Sequence, residues 1–261
     1  MQNPAVKKRP ELSFVMPCYN EEATVGFVIP PLLEAFTNAG YEVELVAVDN
    51  GSTDRTAERL LALAERHPQV RYYRVEVNEG YGNGILQGIG QCQGDWIATI
   101  PADGQVDPED VVRLYRAVIS AGDDVVGKVR RRFRMDGFRR KVVSVLYNLL
   151  VRILWPRLES LDVNGIPKML PRRVLQAMDL KSKNWLLDPE IMIKAHYMGI
   201  RVLELNAFAR MRGSGVSHVR ATTCLEFFRY LLAFRFSRNW REDFQRAAGA
   251  ATRSELSTIG H

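Results

Sequence analysis

The sequence predicts an α/β fold in which helices flank a mostly parallel, doubly wound sheet. The first half of the chain alternates short apolar runs with segments of helical periodicity, and the connections between them are short. Strand–helix–strand units of this kind build parallel sheets with right-handed crossovers. The length of 261 residues, with 46% hydrophobic and 25% charged residues, fits one large domain and excludes a disordered chain.

Four strand–helix units follow one another in the first half of the chain. Each expected strand is a continuous apolar run bounded by turn residues, as in buried parallel strands. The strands are expected at 12–16, 43–48, 70–77 and 96–100, and the helices at 21–39, 55–66, 80–91 and 108–120. Pro17 is expected to end the first strand, whereas Pro30 and Pro31 are expected to kink the first helix or split it in two.

The second half of the chain has a different pattern, because the alternation stops after a fifth strand that begins at 124–127. A basic loop is expected next. It is followed by a helix at 138–155, a strand at 163–170, a helix at 189–198, a strand at 201–205 and an amphipathic helix at 222–240. We expect a single domain over 11–247, with flexible termini at 1–10 and 248–261.

Cysteine usage and hydropathy indicate a cellular compartment. Cys18, Cys92 and Cys224 are odd in number, widely spaced and without a CxxC motif, which argues against a disulfide framework and a thiolate zinc site. No apolar run is long enough to span a membrane, and no secretory signal is visible. These features favour a reducing compartment, and we expect a cytoplasmic protein.

Polar, turn-forming segments follow each of the first four expected strands. They read PCYNEE at 17–22, DNGSTD at 49–54, NEGYGNG at 78–84 and PADGQ at 101–105. Any one of them could be a turn with no further role, since Asn, Asp, Gly and Ser favour turns for conformational reasons. Because the carboxyl ends of parallel strands share one edge of the sheet, four such segments together indicate a ligand-binding cleft.

A dinucleotide-binding fold is a weaker alternative. Gly80, Gly82, Gly84 and Gly88 imitate a glycine-rich fingerprint at a helix N-terminus, which could bind a phosphate. That fingerprint belongs at the first strand–helix turn, and the turn at 17–22 contains no glycine. A nicotinamide-dependent dehydrogenase is therefore not favoured.

Positive charge is concentrated in one segment. The net charge is +6, and the segment 128–141 holds eight basic residues against one acid, Asp136. Such a segment can be a solvated loop, or it can face phosphate groups, nucleic acid or an anionic membrane. Nucleic acid is disfavoured, because Phe133 and Phe138 alone interleave with the charges and base stacking needs more aromatic residues.

The segments resemble a known family. VMPCYNEEATV, VAVDNGSTDRT, NEGYGNGILQGI, GDWIATIPADGQVDPED and the later RGSGVS resemble glycosyltransferase family 2, and within it the dolichol- or polyprenol-phosphate mannosyl- and glucosyltransferases. The resemblance runs from about residue 11 to residue 241. It implies a GT-A fold with a nucleotide-sugar half at 11–128 and an acceptor half at 129–247. It also implies the inverting transfer of a hexose from a nucleotide sugar to a polyprenyl or dolichyl phosphate.

The resemblance assigns residues to the nucleotide-sugar donor. They are Pro17, Tyr19, Glu21, Asp49, Asn50, Asn78, Gly80, Gly82 and Asp103. Asp49 takes the place of the aspartate that reads the base. A carboxylate accepts hydrogen bonds, so it favours a base with an N–H to donate, such as uracil or guanine. Donors of the GDP-mannose type and the UDP-glucose type both remain open.

The family's Asp-x-Asp metal motif is altered, because Pro101 replaces the first acid. Asp103 and Gln105 remain as oxygen ligands for Mg²⁺ or Mn²⁺, and the donor's phosphates would complete the metal shell. Asp103, Gln105 and Arg140 are the expected catalytic residues. The substitution at Pro101 leaves open a catalytically silent relative that binds nucleotide sugars.

The resemblance also assigns residues to the acceptor phosphate, which is largely ionised at neutral pH and needs positive charge beside it. They are Arg130, Arg132, Arg140, Ser144, Arg212, Ser217 and His218. Arg140 and Ser144 lie four residues apart, on one face of the expected helix. The acids at 162 and at 188–190 occupy positions of the family's sugar-side acids. A soluble or polysaccharide acceptor is the alternative.

A polyprenyl acceptor lies in a bilayer, so contact with a membrane is expected without a span. The segment CLEFFRYLLAFRF at 224–236 mixes aromatic and aliphatic residues with arginines, and 138–155 is a second candidate. Basic amphipathic helices of this type either pack into the core or lie in the membrane interface. We expect peripheral attachment at the cytoplasmic face of the membrane, helped by anionic lipid.

Overall fold

The computed structural model describes residues 9–132, 138–158, 160, 162–208, 229 and 231–236, and for 131, 132, 138–144 and 208 it describes the backbone alone. The strands are β1 (Leu12–Cys18), β2 (Val43–Asn50), β3 (Val70–Val75), β4 (Trp96–Thr99), β5 (Val125–Arg132), β6 (Lys168–Pro171) and β7 (Arg201–Phe208). The helices are α1 (Val25–Asn38), α2 (Thr56–Arg66), α3 (Tyr81–Ile89), α4 (Pro108–Ala121), α5 (Phe138–Leu154), α6 (Arg172–Ala177) and α7 (Leu187–Tyr197).

These seven strands form one sheet in the order β3-β2-β1-β4-β6-β5-β7. β1 runs parallel to β2 and β4, β2 runs parallel to β3, and β5 runs parallel to β7. β6 runs antiparallel to both of its neighbours, β4 and β5. The mostly parallel α/β sheet is therefore confirmed. Strand order reverses between β1 and β4, and in open sheets ligands bind at the carboxyl edge of such a reversal.

Alternate residues of β1 supply two apolar cores, one on each face of the sheet. Phe14 and Met16 belong to a core that also contains buried residues of α1, α2 and α4. Val15 belongs to the opposite core, which contains buried residues of α3 and α7. This period of two is the geometry of a strand buried on both faces.

The prolines have less effect than the sequence suggests. α1 is one helix from Val25 to Asn38 with Pro30 and Pro31 inside it, so the prediction of two short helices is wrong. Its buried face continues across both prolines, and that packing holds the helix together where two backbone hydrogen bonds are missing. β1 likewise continues past Pro17, which pairs with Val48 of β2, whereas β4 ends opposite Val15.

The second half of the chain departs furthest from expectation. The predicted basic loop begins instead as strand β5, which carries Lys128 to Arg132 inside the sheet. The strand predicted at 163–170 is the short antiparallel strand β6, and α6 was not predicted. Of the predicted helix at 222–240, residues 229 and 231–236 are described and helical. The terminal segments expected to be flexible, apart from residues 9 and 10, lie outside the described residues.

No helix within the described residues is long and apolar enough to cross a membrane.

Candidate functional site

The loops that follow β1 and β2 are joined by hydrogen bonds at the carboxyl edge of the sheet. Asn20 Oδ1 accepts from the Thr53 amide at 2.9 Å, and the Asn20 amide donates to Ser52 Oγ at 3.1 Å. The remaining bonds join Glu21 to Thr56, and Glu22 to Asp54 and Arg55. The polar residues of the two loops therefore hold each other in place. Tyr19, between them and β1, stays exposed at the edge.

Asp49, near the end of β2, is fully buried and already bonded. Arg74 Nη1 lies 3.0 Å from its Oδ2, and the Tyr72 hydroxyl lies 3.3 Å from the same oxygen. Its Oδ1 accepts from the Ser52 amide at 2.9 Å. A nucleobase would have to share these oxygens. The role of Asp49 in reading the base stays a prediction.

Asn50 joins the end of β2 to the loop that follows β3. Its Nδ2 donates to Asn78 Oδ1 at 3.2 Å and to the Gly80 carbonyl at 3.0 Å. Its Oδ1 is buried and has no hydrogen-bond partner among the described residues. An unsatisfied buried acceptor is unusual in a folded protein. Asn50 and Asn78, both predicted to bind the donor, are therefore brought together at this edge.

The N-terminus of α3 is covered by the backbone of residues 182–184. A Cβ atom on Gly82 would lie 2.3 Å from the Ser182 carbonyl oxygen, and one on Gly80 would lie 2.5 Å from that of Lys183. The amide of Asn83 donates to the same Lys183 carbonyl at 2.8 Å. This close approach explains the two glycines. Their predicted contact with the donor stays a prediction.

Asp103 lies in a tight turn just beyond β4, where strand order reverses. Its side chain is buried, with 7% exposed, and its Oδ1 accepts from the Gln105 amide at 3.1 Å. Gly104 between them has a positive φ of 69°, a conformation that glycine adopts without strain. The turn therefore brings the backbone of Gln105 against the Asp103 carboxylate, and their shared role as metal ligands stays a prediction.

The donor set at this turn suits a metal that is shared with a substrate. Among the described residues, no group of three or more His, Cys, Asp or Glu is placed to hold a metal ion. One carboxylate and one amide fit the habit of Mg²⁺, which often takes one or two protein ligands and completes its shell with substrate phosphates. Asp103 and Gln105 thus fit a divalent cation that arrives with a diphosphate.

The predicted acceptor residues are described to different extents. Arg130 lies in β5, half-buried, opposite Asn206 of β7. Arg132 is described by its backbone in β5, and Arg140 and Ser144 by theirs in α5, which confirms that the last two share a helix. Arg212, Ser217 and His218 lie outside the described residues. Their grouping around one phosphate stays a prediction.

A buried ionic row crosses the sheet beside this edge. It is formed by Lys128, Lys168, Glu204 and Asp188. Lys168 of β6 lies opposite Lys128 of β5, which in turn lies opposite Glu204 of β7. Lys128 Nζ donates to Glu204 Oε1 and to Ser160 Oγ, both at 3.0 Å, and Lys168 Nζ donates to Asp188. Each lysine thus has a carboxylate partner, as buried charges require.

Burial perturbs both lysines. It lowers the pKa of Lys168 to about 8, against the opposing attraction of Asp188 and together with repulsion from Lys128. It also lowers the pKa of Lys128, although Glu204 pulls that pKa back up. Lys128, the first residue of the basic segment, is fully buried and therefore faces carboxylates of the protein itself and neither solvent nor an external anion. The sequence offered one sign of this burial, because Lys128 lies between Val126 and Val129 in an apolar run typical of a strand.

Asp188 and Glu190, two of the predicted sugar-side acids, have structural contacts within the protein. Both lie in the first turn of α7, as the reading of 188–190 as a helix start predicted. Glu190 accepts from the amides of Lys181 and Ser182, with the shortest contact at 2.8 Å, and pairs with Lys194 at 2.7 Å. It thereby fixes the segment that covers α3. The sequence carried no signal for this long-range contact.

Comparison with known proteins places this architecture among sugar transferases. The family described as "Glycosyl transferase family 2" matches residues 13–177, from β1 to the end of α6. The solved structure of glucosyl-3-phosphoglycerate synthase from Mycobacterium tuberculosis with UDP superposes with a TM-score of 0.66 at 20% identity, over 88% of this chain and 80% of that one. The same enzyme with Mn²⁺, UDP-glucose and phosphoglyceric acid has a TM-score of 0.66 at 21% identity, over 87% and 79%. These likenesses establish the GT-A fold.

Curated relatives are more similar in sequence over a shorter stretch. The undecaprenyl-phosphate 4-deoxy-4-formamido-L-arabinose transferase of Photorhabdus laumondii is 37% identical over 143 residues, which are 54% of this chain and 43% of the relative. The enzyme of the same name from Pseudomonas aeruginosa is 40% identical over 143 residues, 54% of this chain and 41% of the relative. The match thus spans less than half the length of these relatives.

Proposed function

The chain belongs to glycosyl transferase family 2, and we propose that it transfers a hexose, with inversion, from a nucleotide sugar to a polyprenyl phosphate at a membrane surface. The observation that carries the proposal is the turn at Asp103. It sets a buried carboxylate at the carboxyl edge beside β1 and β4, between which the strand order reverses, and open α/β sheets bind ligands at such a reversal. The names of the curated relatives, which specify undecaprenyl phosphate, support the acceptor.

The donor is a GDP- or UDP-hexose. Pro17, Tyr19, Glu21 and Asp49 line one end of the edge and bind its nucleoside, and the loop of Asn78 lies next to them. A carboxylate at Asp49 suits the N–H of uracil and of guanine equally, so the residues leave both bases open. The fold relatives named above were crystallised with UDP or UDP-glucose, which makes uridine nucleotides the first to test.

A divalent cation, Mg²⁺ or Mn²⁺, would be held by Asp103 and Gln105. It would supply positive charge to the diphosphate that leaves as the sugar is transferred. The protein's own part is to hold that diphosphate against the carboxyl edge and to orient the sugar. Asp103 is fixed for this role by its bond to the Gln105 amide.

The acceptor phosphate needs positive charge more than it needs a base. It is already ionised near neutral pH, so arginines that neutralise it beside an anionic donor lower the barrier most. We assign its binding to Arg130 and Arg132 of β5, to Arg140 and Ser144 of α5, and to Arg212, Ser217 and His218 later in the chain.

Membrane contact would be made by α5 and the helix at 231–236. Val145, Leu146, Leu149 and Ile153 recur at helical spacing along one exposed side of α5. Phe236 is also exposed, whereas Leu231 is buried in the core. Exposed apolar side chains beside arginines suit the interface of an anionic bilayer. We place the protein peripherally on the cytoplasmic face.

A transfer assay tests the proposal. The protein, with Mn²⁺, is given a panel of UDP- and GDP-linked hexoses and pentoses, because the curated relatives are named for an arabinose derivative. Undecaprenyl phosphate is supplied in anionic vesicles, and the lipids are read by mass spectrometry. We expect one donor to yield a glycosylated lipid phosphate and undecaprenol, which lacks the phosphate, to yield none. Transfer to a soluble sugar but not to the lipid would contradict the proposal.

The catalytically silent alternative has one observation in its favour, which is Pro101 in place of an acid. Calorimetric titration with UDP and GDP, with and without Mn²⁺, separates the two. Tight nucleotide binding without transfer from any donor would favour a binding module.

A further inference from the structure

Trp185 differs from the other tryptophans that the structure describes. Its side chain is 41% exposed, whereas Trp96 and Trp155 are 8% and 3% exposed. One face of its indole stacks on Tyr81, with ring centroids 4.5 Å apart and planes inclined by 10°. A large aromatic ring that is stacked on one face and still 41% exposed offers apolar surface to a planar or ring-like ligand.

The segment that carries Trp185 is held from several directions. Glu190 accepts hydrogen bonds from the backbone amides of Lys181 and Ser182, where the segment begins. Farther along, Lys183 Nζ lies 2.6 Å from Glu79 Oε2. Asn184 Oδ1 accepts from the Leu186 amide at 3.0 Å. Together with the close approach of residues 182–184 to Gly80 and Gly82, these contacts fix the ring in advance of any ligand. Pre-organisation of this kind lowers the entropic cost of binding.

The position of Trp185 connects it to the donor edge. Tyr81, its stacking partner, is the first residue of α3, directly after the loop that holds Asn78 and Gly80. Three residues beyond Trp185, Asp188 pairs with Lys168, which lies opposite Thr99 at the end of β4. The segment thus runs from the end of β3 towards the end of β4. Strands β2 and β1 lie between β3 and β4 in the sheet. The segment therefore runs along the carboxyl edge, past the ends of β2 and β1.

We propose that the exposed face of Trp185 is the surface on which the ring of the transferred hexose packs. A pyranose presents an apolar face of C–H groups, which suits the face of an indole, while its hydroxyls remain at the rim for polar groups. The assignment rests on the proposed function, and it adds a sugar-binding residue that neither the motifs nor the acidic positions indicated.

Fluorescence tests the proposal without any turnover. Wild type and Trp185→Phe are titrated with the UDP- or GDP-hexose that supports binding, and with the corresponding nucleoside diphosphate, both with Mn²⁺. We expect the sugar nucleotide to change the emission of wild type and not that of Trp185→Phe, and the diphosphate to change neither. An equal change with the diphosphate, or one that persists in Trp185→Phe, would overturn the proposal. So would a change produced by polyprenyl phosphate vesicles alone.

Kinetics give a second, independent measurement. Trp185→Ala should raise the KM for the donor about tenfold, which is the upper range for the loss of one aromatic contact. Trp185→Phe keeps an aromatic ring, so its KM should stay close to that of wild type. Leu61→Ala, which shortens an exposed apolar side chain on α2, is the control and should leave the KM unchanged. A wild type that binds no sugar nucleotide would refute the proposed function and this inference together. A wild type that transfers, with Trp185→Ala equally active, would refute the inference alone.

Discussion

The two halves of the sheet use charge in opposite ways. In the parallel half, β1 to β4, acidic and amide side chains follow the strands, and the loops they occupy are bonded to one another at the carboxyl edge. In the half formed by β5, β6 and β7, buried lysines lie within the strands themselves, whereas the buried strand charges of the parallel half, Glu44 and Asp49, are carboxylates. Lys128 and Lys168 are opposite one another, fully buried, each paired with a carboxylate.

The difference separates charged side chains that can bind a ligand from charged side chains that stabilise the fold. Charges at strand ends can meet a ligand, because one side of each loop remains open to solvent. Lys128 and Lys168 inside the sheet are neutralised by partners from β7 and α7 and cannot meet a ligand without losing them. The predictions below separate the two halves, beginning with the largest expected effect.

Breaking the buried pair of Lys168 should cost the most stability. Lys168→Met leaves Asp188 buried without a counter-charge, which lowers the free energy of unfolding by about 3–5 kcal/mol. Urea denaturation followed by circular dichroism measures it. Lys181→Met, which removes an exposed ion pair with Asp179, is the control and should cost under about 1 kcal/mol. If both substitutions cost the same, the ionic row is not a buried one.

Removing the carboxylate of Asp103 should cost activity and leave the fold intact. Asp103→Asn keeps the shape of the turn but weakens the metal site, and we expect roughly 100-fold slower transfer, since residues that only orient a metal's ligands already cost about 10–100-fold when they are removed. Initial rates at saturating donor, measured over a range of Mn²⁺ concentrations, separate the loss of metal affinity from the loss of activity. Asp107→Asn, four residues on at the N-cap of α4, is the matched control. Equal rates for Asp103→Asn and wild type would remove Asp103 from the site.

Adding a methyl group at Gly82 should disturb the contact between the α3 N-terminus and residues 182–184. The new Cβ would lie 2.3 Å from one carbonyl oxygen and 2.7 Å from another, so backbone must move, at a cost of about 1–3 kcal/mol. Thermal and urea unfolding measure it. Gly26→Ala, in α1 with nothing near its Cβ, should instead stabilise by up to about 1 kcal/mol. An unchanged stability of Gly82→Ala would contradict the close approach.

Stability should depend on pH through Lys168. Its folded-state pKa of about 8 lies below its ordinary value of 10.5, so between these pH values the unfolded chain binds the extra proton and rising pH favours the fold. The advantage of wild type over Lys168→Met should grow by about 1 kcal/mol per pH unit in that window. The raised pKa values of the buried thiols of Cys18 and Cys92 make stability fall as pH rises. This contribution is the same in both proteins, so it cancels when the stability of Lys168→Met is subtracted from that of wild type. A constant difference would mean that Lys168 titrates normally.

Sequence reasoning succeeded where periodicity and turn chemistry act locally. The alternation of apolar runs and helices located β1 to β4, and the polar segments after them located the candidate edge, including Asp103 and Asn78. It failed where distant contacts decide the outcome. Pro30 and Pro31 do not split α1, because the packed face outweighs two lost hydrogen bonds. Lys128 lies in a strand, because Glu204 and Ser160, far along the chain, neutralise and solvate it.

The same limit applies within the candidate site. The resemblance assigns Gly80 and Gly82 to the donor, and the structure adds another reason for these glycines, because the backbone of 182–184 lies beside both. Nothing in the local sequence indicates that a segment a hundred residues away would pack there. Trp185 was overlooked for the same reason, since its significance depends on its contact with Tyr81.

The central claim is that a donor diphosphate and a divalent cation bind together at the carboxyl edge beside Asp103. Paramagnetic relaxation tests it most directly. Amide NMR spectra of the protein are compared with UDP and Mn²⁺, and with UDP and diamagnetic Mg²⁺ as reference, and GDP is tested in the same way. The account predicts that Mn²⁺ broadens the amides of Asn20, Asp103 and Gln105 and spares those at the amino end of β2. Broadening centred elsewhere, or unchanged by Asp103→Asn, would contradict it.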